Sequence, residues 1–362
     1  MKWSTPICAR LLAQPRVRPR LPAKQPEFLE PGRATAVTSI PSVHLVILNW
    51  NGLDDTLECL ASLHEQDYPS LRIHVVDNGS AESEATEIER RYPRVNVMRQ
   101  ATNLGFCGGN NVGIRQALEE GADYVLILNN DSVAPPDMIS TLINESASLD
   151  KVGAVSPVIL HHPDHKTVWY AGSVWESEIA GFRHVLEESP IEQLQQQQPY
   201  TTAYACGCCL LVHSSVLRSV GLMDERYFAY FDEADWCSRM KKAGFECYVV
   251  PRARLYHKVS ASAPKLIATY LMARNRLLWM KEHLPGIERR RSISYLLKET
   301  IWNILNIGGW SGGKYKHAPA HSRAMLWGWR DYLRGRFGKW PEQIQRLNMA
   351  KETKEKAAKP AV

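Results

Sequence analysis

Between Val43 and Asp131, short apolar runs alternate with longer mixed stretches. Val43 to Leu48, Leu71 to Val76, Val95 to Arg99 and Tyr124 to Leu128 are rich in Val, Ile and Leu, the composition of strands buried on both faces. Leu53 to Gln66, Ala85 to Tyr92 and Asn110 to Glu120 lie between them and read as helices. This β-α-β-α-β-α-β order predicts an α/β fold with right-handed crossovers and a mainly parallel sheet flanked by helices. Ligands of such sheets collect outside the carboxyl ends of the strands. That edge is expected to gather Asn49, Asp77, Thr102 and Asp131.

Further along, a helix is expected from Pro136 to Leu149 and a strand from Val152 to Ser156. His161 to Gln198, with Trp169, Trp175, a Gly172 turn and a QLQQQQP run, suggests a β-ribbon and a mobile loop over the site. Cys208 to Val212 reads as a strand, Ser214 to Val220 as a short helix, Asp232 to Ala243 as a helix closed by Gly244, and Glu246 to Val250 as a strand. Three regions follow: a disordered basic arm over 1–40, a folded domain over 41–264, and a basic, tryptophan-rich helical extension over 265–362.

Charge sharpens that division. The net charge of +6 separates into about +5 for the arm, about −12 for the domain and about +13 for the extension. A nucleic-acid reader would carry its positive charge on the folded domain, so no nucleic-acid partner is expected. Six of the eleven tryptophans fall in the extension: Trp279, Trp302, Trp310, Trp327, Trp329 and Trp340. Tryptophan beside Lys and Arg suits helices lying on a membrane surface, and packing on the domain is the alternative. No apolar run reaches membrane-spanning length and no signal peptide is visible, so a cytoplasmic protein, peripheral on the inner face of the membrane, is expected. The cysteines show no zinc spacing and read as small buried residues.

Five segments carry candidate chemistry. Asn49-Trp50-Asn51-Gly52 ends the first strand and can hydrogen-bond a base or ribose, or simply cap a helix. Asp77-Asn78-Gly79-Ser80 ends the second, where an acid often grips ribose hydroxyls, though Asn-Gly also makes a plain turn. Asn103 to Gly113 is glycine-rich and opens a helix, an arrangement that lets a ligand approach the backbone and favours anionic groups at the helix start. Asn129-Asn130-Asp131 delivers a carboxylate from a strand end, suited to a divalent cation or to a turn before Pro135 and Pro136. Asp232-Glu233-Ala234-Asp235 places three acids at a helix start after aromatic residues. A helix-dipole cap is the simple reading there, and a base with raised proton affinity is the other. His257 follows a short apolar approach.

Taken in this order, VILNWN, VVDNGS, NLGFCGGNNVG, LILNND and the block from Gly221 to His257 resemble the inverting glycosyltransferases of family 2, in particular the bacterial rhamnosyltransferase-like branch. The likeness spans Val43 to Tyr270, and Arg274-Asn275 resembles the Arg-Asn pair that commonly follows the final histidine. It implies a GT-A fold, a nucleoside-diphosphate sugar donor (dTDP- or UDP-linked, with dTDP-rhamnose favoured) and Mg2+ or Mn2+. The acceptor would be a glycan or lipid-linked hydroxyl in cell-envelope polysaccharide assembly. By the same likeness Asn49, Asn51, Asp77, Asn78, Gly105, Asn110 and Asn130 would serve the donor, Asp131 and His257 the metal, and Glu233 with Asp232 the base. Two departures stand out: Asn129 occupies the first acid of a DxD motif, and the common Glu-Asp order is reversed at Asp232-Glu233. A sugar-phosphate nucleotidylyltransferase would open instead with a glycine-rich loop bearing Arg and Lys, and Asn129 is the feature that a non-catalytic sugar-binding or scaffolding protein would best explain.

Overall fold

The computed structural model describes residues 40–81, 83–259, 265–305 and 319–357. The arm expected over 1–40 lies outside them except for Ile40, and so does Trp310. Strands β1 (Val43–Asn49), β2 (Leu71–Asp77), β3 (Asn96–Arg99) and β4 (Tyr124–Asn129) alternate with helices α1 (Leu53–His64), α2 (Glu84–Arg91) and α3 (Gly105–Glu119). β1 pairs in parallel with β2 on one side and β4 on the other, and β2 pairs in parallel with β3. The strand order therefore reverses at β1, and the crevice outside the carboxyl ends of β1 and β4 is where such a sheet opens a ligand site.

Beyond β4 come the two-residue strand β5 (Ser132–Val133), helix α4 (Met138–Ser146) and the long strand β6 (Val152–His161). The segment after β6 forms β7 (Val168–Tyr170), a hairpin of β8 (Ser173–Glu176) and β9 (Gly181–His184), and β10 (Tyr200–Thr201). β11 (Cys209–His213) inserts antiparallel between β4 and β6, so the sheet is parallel on its first side and mixed on the second. Helices α5 (Ser214–Val220) and α6 (Asp232–Lys242) lead to β12 (Glu246–His257). β12 is longer than the expected Glu246–Val250 because the chain passes Pro251 through a register shift and resumes pairing with β6 at Arg254. Proline cannot donate to a ladder and is accommodated at such an irregularity. The extra length carries His257 to the sheet's carboxyl edge, opposite Ser132 of β5.

The main core cluster is built on both faces of the sheet. Helices α7 (Lys265–His283), α8 (Gly286–Leu305), α9 (Pro319–Leu333) and α10 (Glu342–Ala357) complete the described chain. A second apolar cluster joins Leu266, Ile267, Tyr270 and Leu271 of α7 to Ala324 of α9, Ile344 of α10 and Phe228 before α6. Trp279 is buried against Trp175 and Phe182 of the hairpin, and Trp327, Trp329 and Trp340 are half-buried. The placed tryptophans of the extension thus turn inward. The seven described cysteines are free and buried.

The α7–α9 contact is close at Gly328, where an added Cβ would lie 2.6 Å from the Tyr270 carbonyl oxygen and 3.1 Å from the Ala273 Cβ. Gly328→Leu is expected to push the two helices apart and lower stability by about 2 kcal/mol, as overpacked cores do, measured as a lower urea midpoint. An unchanged midpoint would show that α9 can shift freely.

Candidate active site

At the end of β1, Asn49 is fully buried and hydrogen-bonds on all sides. Its Nδ2 donates to Glu84 at 2.8 Å, to the Ser80 hydroxyl at 3.3 Å and to Asp77 Oδ1 at 3.4 Å, and its Oδ1 accepts from Thr56 at 2.7 Å. Asp77 Oδ1 also accepts from the backbone N–H and hydroxyl of Ser80. Asn51, at a φ of 51°, donates its N–H to the Ser80 hydroxyl and accepts from the Ala81 N–H. Asn78 donates to Asn103 and the Gly105 carbonyl and accepts from the Leu104 N–H. The first two strand ends are tied into one rigid polar platform.

Next to it, Asn130 donates to the Thr56 hydroxyl at 2.9 Å and the Gly52 carbonyl at 3.3 Å, fixing the end of β4 against the start of α1. Asp131 follows. It is buried, and its Oδ1 lies 3.0 Å from His257 Nε2. The His257 ring stands edge-on to Trp169 at 4.5 Å between centroids, and its buried Nδ1 has no protein partner. The donor set, one carboxylate oxygen and one imidazole nitrogen meeting at hydrogen-bond distance, is of the kind a divalent cation takes together with phosphate and water ligands.

The third part is the start of α6. Phe228, Tyr230 and Phe231 all have positive φ, at 66°, 69° and 67°, and Asp232 and Glu233 form the first turn after them. Burial pushes the Asp232 carboxyl well up, with the neighbouring Glu233 charge adding to it, and burial raises Glu233 too. Asp232 Oδ2 has no protein partner. Glu233 is only half-buried and sits beside Gly207. One residue on, Cys208 accepts the Asn129 N–H with its carbonyl, and its thiol lies 3.4 Å from the Ser132 hydroxyl. The segment 206–208 thus connects the acid pair to Asp131. Asp235 differs from its neighbours. Burial alone would raise its carboxyl, but His283 at 2.7 Å and Arg239 at 2.8 Å outweigh it and hold the carboxyl low.

Residues 44–221, lying across this platform, match the model of glycosyl transferase family 2. The chain belongs to glycosyltransferase family 2. This glycosyltransferase is 29% identical to the N-acetylglucosaminyl-diphospho-decaprenol L-rhamnosyltransferase of Mycobacterium tuberculosis, over 60% of this chain and 76% of that one. It is 23% identical to the dTDP-rhamnosyl transferase RfbF of Shigella flexneri, over 81% of this chain and 97% of that one. Its fold is GT-A. It superposes on a mannosyltransferase of Pyrobaculum calidifontis solved with GDP-Man and Mn2+ at a TM-score of 0.51 and 14% identity, covering 82% and 88% of the two chains. GalNAc-T7 solved with UDP, GalNAc and Mn2+ gives 0.51 at 15% identity, over 75% of this chain and 58% of that one.

In this glycosyltransferase the glycine-rich stretch departs from expectation. The helix starts at Gly105 rather than Asn110, and its glycines serve packing: Cβ atoms at Gly109 and Gly113 would collide with Leu48 and Val46 of β1. The amino end of the helix is already occupied, since Gly105 N–H donates to Asn103 and Cys107 N–H to the Phe228 carbonyl. Gly105, at a φ of 80°, has Phe228 where its Cβ would be. Asn110 is fully buried and donates to the Phe106 carbonyl. The helix approaches β1 closely through these glycines, and two of its amino-end N–H groups, those of Gly105 and Cys107, are taken by protein acceptors. The β-ribbon expected within 161–198 is the β8–β9 hairpin, fastened by Trp175 against Trp279.

Sequence reasoning missed Glu84, Thr56 and Trp169, which brace Asn49, Asn130 and His257. Glu84 sits at a helix start, where an acid is unremarkable, so only its distance to Asn49 reveals it. A separate histidine pair near the amino end of β1 is polar packing. His44 Nδ1 and His74 Nε2 are 2.9 Å apart, and Arg72 takes the nearby Glu120 oxygen at 2.9 Å. Burial pushes both imidazole pKa values down, that of His74 to about 4.

The raised acids give a pH signature. A carboxyl with a raised folded pKa binds its proton more tightly folded than unfolded, so its stabilisation is complete below the unfolded range and is lost as pH rises through the folded value. Asp232→Asn removes that loss. Its urea midpoint is expected to exceed that of the wild type at pH 8, with the gap closing towards about pH 4. A gap independent of pH would contradict the shift.

Proposed function

We propose that this glycosyltransferase moves rhamnose from dTDP-rhamnose to a hydroxyl of a glycan or lipid-linked acceptor in cell-envelope polysaccharide assembly, with inversion at the anomeric carbon. The observation that carries the reading is the approach of Asp131 to His257 at the carboxyl edge of the sheet, with the paired acids Asp232 and Glu233 at the start of α6. The activities of the mycobacterial and Shigella relatives support rhamnose and, for the latter, dTDP.

In this reading Asn51 and Asp77 orient the nucleoside at the ends of β1 and β2, on the platform that buried Asn49 and Asn78 brace, with Asn130 beside them. Asp131 and His257 would hold Mg2+ or Mn2+, which, when bound, neutralises charge on the leaving diphosphate. A hard cation sharing phosphate and water ligands needs only one or two protein carboxylates, so Asn129 in place of an acid is compatible with the scheme. Glu233, with part of its surface open, takes the proton of the acceptor hydroxyl as that oxygen attacks the anomeric carbon from the face opposite the diphosphate. Burial raises its proton affinity, and its own charge adds to the rise at Asp232 beside it.

The extension supports a place at the membrane surface. Among the described residues no helix is long and apolar enough to cross a membrane. Yet Ile287 and Leu333 are 85% and 79% exposed on a region rich in Lys and Arg, a combination suited to anionic lipid.

With Mg2+, dTDP-rhamnose is expected to raise the thermal midpoint of the wild type, because ligand binding stabilises the folded state. Asp131→Ala should keep the fold and lose both the metal-dependent rise and transfer. Glu233→Gln should keep the rise and lose turnover by about 100-fold or more. Stabilisation by UDP-sugars alone would move the donor assignment, and an active Glu233→Gln would move the base to Asp232. Wild type is expected to sediment with phosphatidylglycerol vesicles at low salt, and Ile287→Asp with Leu333→Asp to sediment less. Equal sedimentation of the two would remove the membrane role from this surface.

A further inference from the structure

The turn before α6 cannot hold its shape by local preference. Three non-glycine residues in four positions, Phe228, Tyr230 and Phe231, have left-handed backbone, and each such residue costs about 1 kcal/mol or more. Strain of that kind persists only where surrounding structure imposes it.

What imposes it here is a buried pair on α7. Asn275 Nδ2 lies 2.8 Å from the Tyr227 carbonyl oxygen, 2.8 Å from that of Ala229 and 2.9 Å from that of Tyr230, so one amide gathers three carbonyls of the turn. Its Oδ1 accepts from Arg274 Nε at 2.9 Å, which fixes the amide's orientation. The Arg274 guanidinium donates onward to the carbonyls of Tyr227 at 3.1 Å, Arg226 at 3.3 Å and, through Nη1, Gly338 at 2.6 Å. The Gly338 N–H in turn donates to the Arg226 carbonyl at 2.9 Å. Both side chains are fully buried. Burying a guanidinium among carbonyls is costly, and removing such a group leaves several acceptors unpaired.

The held turn faces two ways. The Phe231 carbonyl accepts the Asp235 N–H and so begins the helix that carries Asp232 and Glu233, while the Phe228 carbonyl accepts the Cys107 N–H of α3. We propose that Arg274 and Asn275 are positioning residues for transfer, locking the Tyr227–Phe231 turn so that Glu233 stands at a fixed place relative to the donor platform. This rests on the reading of Glu233 as the base. It also gives the extension a catalytic task, because α7 and the Gly338 connection supply the lock. Small misplacements of a reacting group cost rate much more than binding.

The test uses full-length wild type, Asn275→Ala, Arg274→Lys and the double variant Asn275→Ala with Tyr230→Gly. Hydrogen exchange of the protein alone, with no substrate, should show peptides spanning residues 227–236 opening about tenfold faster in Asn275→Ala while β1 and β4 are unchanged. With dTDP-rhamnose, Mg2+ and N-acetylglucosaminyl-diphospho-polyprenol, kcat should fall about 100-fold and the donor KM should stay within about threefold. Tyr230→Gly, which takes positive φ without strain, should recover about tenfold of kcat in the double variant. Arg274→Lys keeps the buried charge but cannot span the same carbonyls, and it carries the same expectation if Asn275→Ala is not recovered folded. Unchanged exchange, unchanged kcat, or a double variant no better than the single one overturns the positioning role. Loss in Asn275→Ala together with full turnover in Glu233→Gln overturns the base assignment instead.

Discussion

Burying polar side chains at the carboxyl ends of apolar strands is the constraint on which this molecule turns. Asn49, Asp77, Asn78 and Asp131 all emerge from strands that are apolar along most of their length, and all are buried. A buried amide or carboxylate left without a partner costs more than a typical hydrogen bond returns. The chain meets this by drawing neighbouring loops and helix starts inward, with Thr56, Ser80, Glu84 and Asn103 each turned towards a strand end. The result is a preorganised edge that has little freedom to rearrange around a donor.

Against that background the exceptions are informative. Asp232 Oδ2 at the start of α6 and His257 Nδ1 at the end of β12 are buried polar atoms without a protein partner. Nearby Asp235 shows what a structural acid looks like in the same helix: it is taken by His283, Arg239 and Tyr227. The contrast separates an acid that braces the fold from one whose buried oxygen no protein group takes.

Much of the fold was legible in the sequence because its strands are uninterrupted apolar runs and its helices begin and end near recognisable polar residues. Asp131, Asp77 and Asn49 could be placed at one edge for the same reason, since a parallel sheet brings its carboxyl ends together. The glycine-rich segment was harder. Gly109 and Gly113 serve close contact with β1 and Gly105 close contact with Phe228, and a glycine written for packing looks the same in sequence as one written for a phosphate. The tryptophans of the extension carried a similar ambiguity, and those placed face the protein.

By itself, then, the sequence determined the layered α/β order, the strand-end amides and carboxylates, and the likeness to a family of sugar transferases, because each of these is a local pattern. Only the tertiary structure decided the rest. β11 inserts antiparallel beside β4, β12 passes a proline to set His257 against Asp131, and α7 reaches back some 45 residues to clamp the turn that precedes Glu233. These are contacts between residues distant in the chain, made because buried carbonyls, imidazoles and carboxylates must find partners wherever the fold supplies them.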